Sequence, residues 1–269
     1  MDELSELAVS AARDAGACLR DGFLADAGIR SEAGNDIKTE ADEAADRVIL
    51  KALKGTGLPI LSEETGVVPA TQEHSDGPTI QRFNHSTTQL LNLPTPIWII
   101  DPLDGTFNFT RGFPVCCVSI ALWDDGVPVF GVIYDFVEDR LYQGRVGHGA
   151  WEGDAPICVS SITDPARAAL ATGFPSARDY SDASLADSVR RVQRFKKIRM
   201  IGSAAMSLAH VAAGRVDAYY EESIWLWDVA AGLALVQAAG GAFQLSEIGA
   251  DWKLDVFAGN GKFAVSFCS

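Results

Sequence analysis

The stretch Ile97-Trp98-Ile99-Ile100-Asp101-Pro102-Leu103-Asp104-Gly105-Thr106 constrains this chain most, because an apolar run leads straight into two carboxylates and a Gly-Thr turn. The run reads as a buried strand that Pro102 stops, leaving Asp101 at a C-terminal strand end, where α/β sheets place ligands. Two aspartates this close repel each other unless a cation sits between them, and hard divalent cations such as Mg²⁺ prefer carboxylate oxygen. Gly105 lets the backbone approach an anion, and Thr106 adds a hydroxyl beside exposed N–H groups. The segment therefore reads as a cation site with a phosphate seat beside it.

The rest of the chain narrows the partners of such a site. A formal net charge of −14 over 269 residues disfavours nucleic-acid backbones and anionic membranes, which need clustered Lys and Arg. An acidic chain still binds phosphate when metal ions reverse the local potential. No apolar run approaches the roughly 20 residues of a membrane helix. The opening Met1-Asp2-Glu3-Leu4 lacks the basic and apolar regions of a signal peptide, so a cytoplasmic protein is expected. The five cysteines are scattered without a C-x-x-C pair, which points to reduced, mostly buried thiols.

Apolar residues at three- and four-residue intervals from Leu4 to Leu19 predict an opening amphipathic helix. A second helix follows Thr39 along the stripe Ala41, Ala44, Ala45, Val48, Ile49, Ala52 and Leu53, and Leu58-Pro59-Ile60-Leu61 leads as a strand into Glu63-Glu64. Residues 66–95, rich in Pro, Thr, Ser and Gln, read as a mobile surface excursion. Runs at 115–123, 127–135, 140–145 and 149–152 predict an antiparallel meander. Beyond about residue 165, strands at 168–172, 198–201, 216–220, 242–245 and 263–267 alternate with helices at 181–195, 203–213 and 227–239, as in a separate α/β layer.

Each remaining carboxylate has a plain reading and a chemical one. Glu63 and Glu64 stand where a strand runs out, either solvated or with one aimed at a metal. Asp228, in Trp227-Asp228-Val229-Ala230-Ala231-Gly232, opens a helix whose dipole an acid stabilises. Asp42 lies three residues after the possible cap Thr39 and serves as a first-turn acid or a site residue. Ser203, in Gly202-Ser203-Ala204-Ala205, is most simply an N-cap, or part of a turn whose N–H groups meet a substrate hydroxyl. The four histidines are too dispersed for a metal triad and read as surface or satisfied core residues.

In this order and at these separations, Glu63-Glu64, Asp-Pro-Leu-Asp-Gly-Thr and Trp-Asp-Val-Ala-Ala-Gly resemble the inositol monophosphatase family of metal-dependent phosphomonoesterases. Asp36 to Asp42, Asn108-Phe109, Gly147 to Gly153 and Gly214 to Glu221 extend the resemblance over nearly the whole chain. It implies a layered α/β/α/β/α sandwich of the inositol monophosphatase and fructose-1,6-bisphosphatase type. Residues 1–269 would form a single such domain, with a metal-site-rich half at 1–160 and an α/β half at 161–269, usually as a homodimer. It further implies two or three Mg²⁺ ions, one on Glu63, Asp101 and the Leu103 carbonyl, a second on Asp101, Asp104 and Asp228. Thr106, Asp42 and Glu63 would orient or deprotonate the attacking water, and the N–H groups of Gly105 and Thr106 would seat the phosphate. Gly202, Ser203, Ala204 and Glu221 would face the substrate, and Trp225 stands where many relatives carry a histidine.

The expected reaction is Mg²⁺-dependent hydrolysis of a small polyol or sugar-type phosphate resembling inositol monophosphate. Histidinol phosphate, fructose-1,6-bisphosphate and 3′-phosphoadenosine 5′-phosphate are the family's alternatives. A haloacid-dehalogenase-type phosphatase is disfavoured, because its aspartates are two apart near the N-terminus, whereas Asp101 and Asp104 are three apart in mid-chain. A degenerate, metal-dependent binding protein is the non-enzymatic rival.

Overall fold

The structure, a computed structural model, describes residues 2–23, 29–33, 36–70, 96–174 and 179–263. The first half contains α1 (Asp2–Gly22), β1 (Ile29–Ala33), β2 (Asp36–Thr39), α2 (Glu40–Leu53), β3 (Ile60–Ser62), β4 (Gly66–Val68), β5 (Ile97–Asp104) and the short α3 (Thr106–Thr110). The meander follows as β6 (Cys117–Asp124), β7 (Val127–Asp135), β8 (Arg140–Arg145), β9 (Gly149–Glu152) and β10 (Ala155–Ile157). The second half holds β11 (Ala169–Thr172), α4 (Asp182–Val192), β12 (Lys197–Arg199), α5 (Ala204–Ala212), β13 (Ala218–Trp225), α6 (Leu226–Ala238), β14 (Ala242–Leu245) and β15 (Lys253–Gly259).

Two large sheets result, one of order β10-β9-β8-β7-β6-β5-β3-β4 and one of order β12-β11-β13-β15-β14. The faces of β5 explain its unbroken apolar run. Trp98 and Ile100 pack with Leu19, Ile49 and Leu53 of α1 and α2, whereas Ile97 and Ile99 pack with Leu208 of α5 and Leu233 of α6. A strand covered on both sides has no wet face to encode. Helix α6 is apolar all round because the second sheet closes over it, with Tyr219, Val256 and Ala258 in the same cluster. The far face of that sheet is covered through Leu170, Phe195, Tyr220 and Phe257, with Val192 of α4 against them. The layers are thus helix, sheet, helix, sheet, helix, as the resemblance implies.

Three expectations change. Pro102 does not stop β5: the strand runs on to Asp104, and its pairing with β6 shifts register between Asp101 opposite Ser119 and Asp104 opposite Cys117. One extra residue sits on the β5 side. A β-bulge of this kind suits proline, which has no N–H to give the ladder. Residues three apart in a regular strand face opposite ways, so the bulge is what lets Asp101 and Asp104 reach the same pocket. In the second sheet Lys253–Gly259 pairs between β13 and β14, a strand the sequence reading does not include, while residues 264–267 of the strand expected at 263–267 lie outside the described residues. In the 66–95 excursion, Gly66–Val68 pairs with β3, and residues 71–95 lie outside the described residues. The cysteine expectation is met only in part, since Cys116 and Cys117 are buried free thiols but Cys18 and Cys158 are exposed. Among the described residues, no helix is long and apolar enough to cross a membrane.

Candidate active site

A pocket of about 240 Å³ opens where the C-terminal part of β5, the start of α5 and the start of α6 meet. Glu63, Asp101, Leu103, Asp104, Gly105, Thr106, Gly202, Ser203, Ala204, Glu221 and Asp228, brought from across the sequence, all line it. Asp42 is the exception, buried one layer behind Thr106.

Each carboxylate is placed by a different element. Asp101, on β5, accepts the Leu103 N–H at 3.0 Å and is only 1% exposed. Glu63 follows β3, and its N–H donates to the Ile100 carbonyl at 3.2 Å, so backbone pairing puts Glu63 next to Asp101. The turn that carries Glu63 is tied down by Asp46 of α2. Asp46 accepts the Ser62 hydroxyl at 2.6 Å and the Thr65 hydroxyl, while Ser62 Oγ accepts the Glu64 and Thr65 N–H groups. Asp46 belongs to no sequence motif; its only signal is that, one turn after Asp42, it places a second acid on the buried side of α2.

Asp104 caps a helix that begins a hundred residues later. Its carboxylate accepts the Ala204 N–H at 3.3 Å, the Ala205 N–H at 2.8 Å and the Ser203 hydroxyl, with Cys117 Sγ at 3.7 Å behind. Ser203 is also the N-cap of α5, accepting the Met206 N–H at 3.1 Å, as its plain reading expects, while the N–H groups of Ala204 and Ala205 meet the Asp104 carboxylate. Asn108 fixes the adjoining turn, donating to the Val115 and Ile201 carbonyls at 2.8 Å each. Thr39 and Asp42 form a capping box: Asp42 Oδ2 accepts the Thr39 N–H at 2.7 Å and the Thr39 hydroxyl at 2.6 Å. Its Oδ1 lies 3.1 Å from Thr106 Oγ1, whose proton also faces the Leu103 carbonyl at 2.9 Å. Gly105 holds a left-handed φ of 89°, and a Cβ there would stand 2.8 Å from the Val115 carbonyl. That turn has room only for glycine.

The electrostatics are those of a site built for a cation. Burial pushes the Asp101 carboxyl well above its ordinary range, and Glu63, Asp104 and Asp228 push it further, with a hydrogen bond between Asp101 and Glu63. Asp228 is raised well above its range by burial, then by Glu63, Asp104 and Glu221, and only partly relieved by the start of α6. Asp104 and Asp42 are also raised by burial, against their hydrogen bonds. Among the described residues, no three His, Cys, Asp or Glu side chains are already arranged to hold a metal ion. The carboxylates share a pocket and a common electrostatic burden, without a preformed coordination shell. Oxygen donors dominate, and neither imidazole nor thiolate lines the pocket, a donor set that suits a hard divalent cation. His210, expected to be a satisfied core histidine, instead has Nδ1 buried without a hydrogen-bond partner, and burial lowers its pKa.

Residues 1–261 match the family model described as the inositol monophosphatase family. A tomato (Solanum lycopersicum) protein named inositol monophosphatase 3 is 36% identical over 246 residues, covering 90% of this chain and 85% of its own length. A Xylella fastidiosa protein named Nus factor SuhB is 40% identical over 209 residues, covering 77% of this chain and 68% of its own length. The solved structure of inositol monophosphatase from Anabaena superposes with a TM-score of 0.75 at 33% identity, covering 97% of this chain and 92% of that one. The chain belongs to the inositol monophosphatase family, whose members are phosphatases that hydrolyse phosphate monoesters.

Proposed function

We propose that this protein is a Mg²⁺-dependent phosphomonoesterase acting on a small polyol or sugar-type phosphate, with inositol monophosphate as the reference substrate. The carrying observation is the convergence of Glu63, Asp101, Asp104 and Asp228 on one pocket, with Asp101 and Asp228 held far above their ordinary pKa beside the Thr106–Asp42 pair. These carboxylates and the Leu103 carbonyl would hold two or three Mg²⁺ ions. When bound, the metal supplies charge neutralisation and an acidified water.

The chain's own groups account for the remaining roles. Thr106, hydrogen-bonded to Asp42, and Glu63 orient the attacking water, whose proton passes to the Glu63 carboxylate or, through the Thr106 hydroxyl, to the Asp42 carboxylate. The N–H groups at Gly105 and Thr106 face the phosphate, since the left-handed Gly105 ends the strand and starts α3 there. Gly202, Ser203, Ala204 and Glu221 receive the alcohol. Ser203 and Ala204 also hold Asp104, so substrate recognition and ion placement share one turn. The shared apolar cluster of α5, α6 and both sheets supports treating the 1–160 and 161–269 halves as one domain. A homodimer in the cytoplasm, without nucleic-acid or membrane partners, completes the reading.

The test is phosphate release by the purified chain, with Mg²⁺ and with a chelator, from inositol 1-phosphate, histidinol phosphate, fructose-1,6-bisphosphate and 3′-phosphoadenosine 5′-phosphate. Chelator-sensitive turnover of at least one is expected. Absence of turnover on all four would leave the binding-protein reading in its place.

A further inference from the structure

His210 lies outside the active-site pocket, and the fold leaves it unsatisfied: Nδ1 is sealed from solvent without a hydrogen-bond partner. A buried polar atom in that state marks a place where a ligand or a water belongs. The ring sits on α5, edge-on to Tyr142 with centroids 6.5 Å apart. It also lines a cleft of about 210 Å³ beside β12, the edge strand of the second sheet. That cleft combines two guanidinium side chains, Arg199 and Arg215, with the apolar Ala171, Ile201 and Val216.

The charges around it do not cancel. Arg215 is already committed, donating to the Tyr142 hydroxyl at 2.9 Å and pairing with Glu152 at 2.5 Å. Arg140 lies between Glu138 at 3.7 Å and Glu152 at 3.9 Å. Arg199 donates to the Ile198 carbonyl at 3.0 Å and has no carboxylate partner among the described residues, in a chain of formal net charge −14. Burial, with Arg215 and Arg140 nearby and only Glu152 opposing, lowers the His210 pKa, so the ring is neutral at pH 7. One guanidinium is left to match, and a single carboxylate matches it. The apolar residues call for a hydrocarbon body beside that charge. The volume falls below the roughly 300–1,000 Å³ of pockets for drug-sized ligands, so that body is short.

The same cleft touches the turn that serves the active site. The Ile201 carbonyl accepts Asn108 Nδ2 at 2.8 Å, and the Ser207 hydroxyl, also at the cleft, donates to the Ser203 carbonyl at 2.7 Å. Ser203 in turn holds Asp104. Building on the metal-dependent phosphomonoesterase reading, we propose that the cleft is an effector site for a small aliphatic monocarboxylate, held by Arg199 and the His210 ring, whose binding steadies the 201–204 turn and so favours Mg²⁺ at Asp104. An occupant orders Ile201 and Ser207 before the metal arrives, so the two ligands bind cooperatively.

The probe is 3-methylbutanoate, titrated calorimetrically into the full chain in metal-free buffer and again with saturating Mg²⁺. Without metal, a Kd of about 1 mM or tighter is expected. Binding should be weaker by about tenfold or more for 3-methylbutan-1-ol, which lacks the charge, and for formate, which lacks the body. Saturating Mg²⁺ should tighten the probe by about fivefold, and saturating probe should tighten Mg²⁺ by the same factor, because linkage is reciprocal. Arg199→Gln, at an exposed side chain, should weaken the probe by about tenfold and abolish the coupling, while Mg²⁺ affinity without probe stays unchanged. His210→Leu keeps the bulk and should weaken the probe by about fivefold without lowering Tm, since it removes an unpartnered buried nitrogen. The proposal is overturned if the probe does not bind, if formate binds as well, if Arg199→Gln binds the probe like wild type, or if probe and Mg²⁺ bind independently. None of these measurements needs turnover, so a chain that couples the two ligands yet releases no phosphate keeps this site and loses the phosphatase reading.

Discussion

Asp42 and Asp104 are both buried aspartates, Asp104 lining the pocket and Asp42 one layer behind it through Thr106, yet they are held in opposite ways. Asp42 is fixed by Thr39, three residues away, and then touches Thr106. Asp104 is fixed by Ser203, Ala204 and Ala205, about a hundred residues away, and caps a helix of the other half. The first arrangement forms as soon as α2 forms. The second exists only when both halves are docked, so the geometry of the proposed ion site reports on the whole fold, whereas the Asp42 carboxylate is oriented mainly by its own turn.

Asp101, placed by strand pairing between these two anchors, gives the largest expected effect. Asp101→Asn should lower Mg²⁺-dependent phosphate release by about a thousandfold or more, the scale of losing a group that acts on transition-state charge. It should also stabilise the metal-free protein at neutral pH. The folded-state pKa of Asp101 is raised above its unfolded value. Below the unfolded value both states are protonated and nothing is lost, whereas at higher pH the folded chain carries a penalty that Asn lacks. A gain of about 2–4 °C in Tm at pH 7 per kcal/mol relieved is expected for a chain of this size, shrinking as pH falls toward 4. A lower Tm than wild type at pH 7 would contradict the repulsion described here.

Ser203→Ala unties Asp104 and should raise the Mg²⁺ concentration for half-maximal activity by about tenfold or more, as outer groups around metal ligands commonly do. If Mg²⁺ titration leaves that concentration unmoved, the link between α5 and the ion site is not energetic. Asp46→Ala loosens the turn under Glu63, and a shift of about tenfold in the same titration is expected. Thr39→Ala should have the smallest effect on turnover, because Thr106 still holds Asp42, while costing about 1 kcal/mol of stability through the lost cap. Chemical denaturation measures that cost. A turnover loss larger than that of Ser203→Ala would reverse the ranking of local and long-range anchors.

Much of this was legible in the sequence where the signal is local. The α2 cap and stripe, the meander turns, the helix start at Ser203 and a helix beginning near Trp227 depend on neighbours within one or two turns of chain. The bulge at Pro102 was misread as a strand end, because proline removes one ladder hydrogen bond in either case and only the partner strand shows whether pairing resumes. Lys253–Gly259 was missed because its burial does not alternate cleanly. Asp46 and Cys117 were missed because each is meaningful only through a residue that other elements bring to it.

The sequence by itself determined the chemistry available to this protein: oxygen donors behind a buried strand, a glycine where the backbone must turn left-handed, and a threonine after it. Tertiary structure alone decided that Glu63, Asp104, Asp228 and Glu221 share one pocket, and that aromatic rings face them across it. Caps and turns are directional hydrogen-bond problems solved by a few adjacent residues. Bringing carboxylates together from Glu63 to Asp228 requires burial of apolar surface, which is non-directional and finds its partners only when the whole core closes.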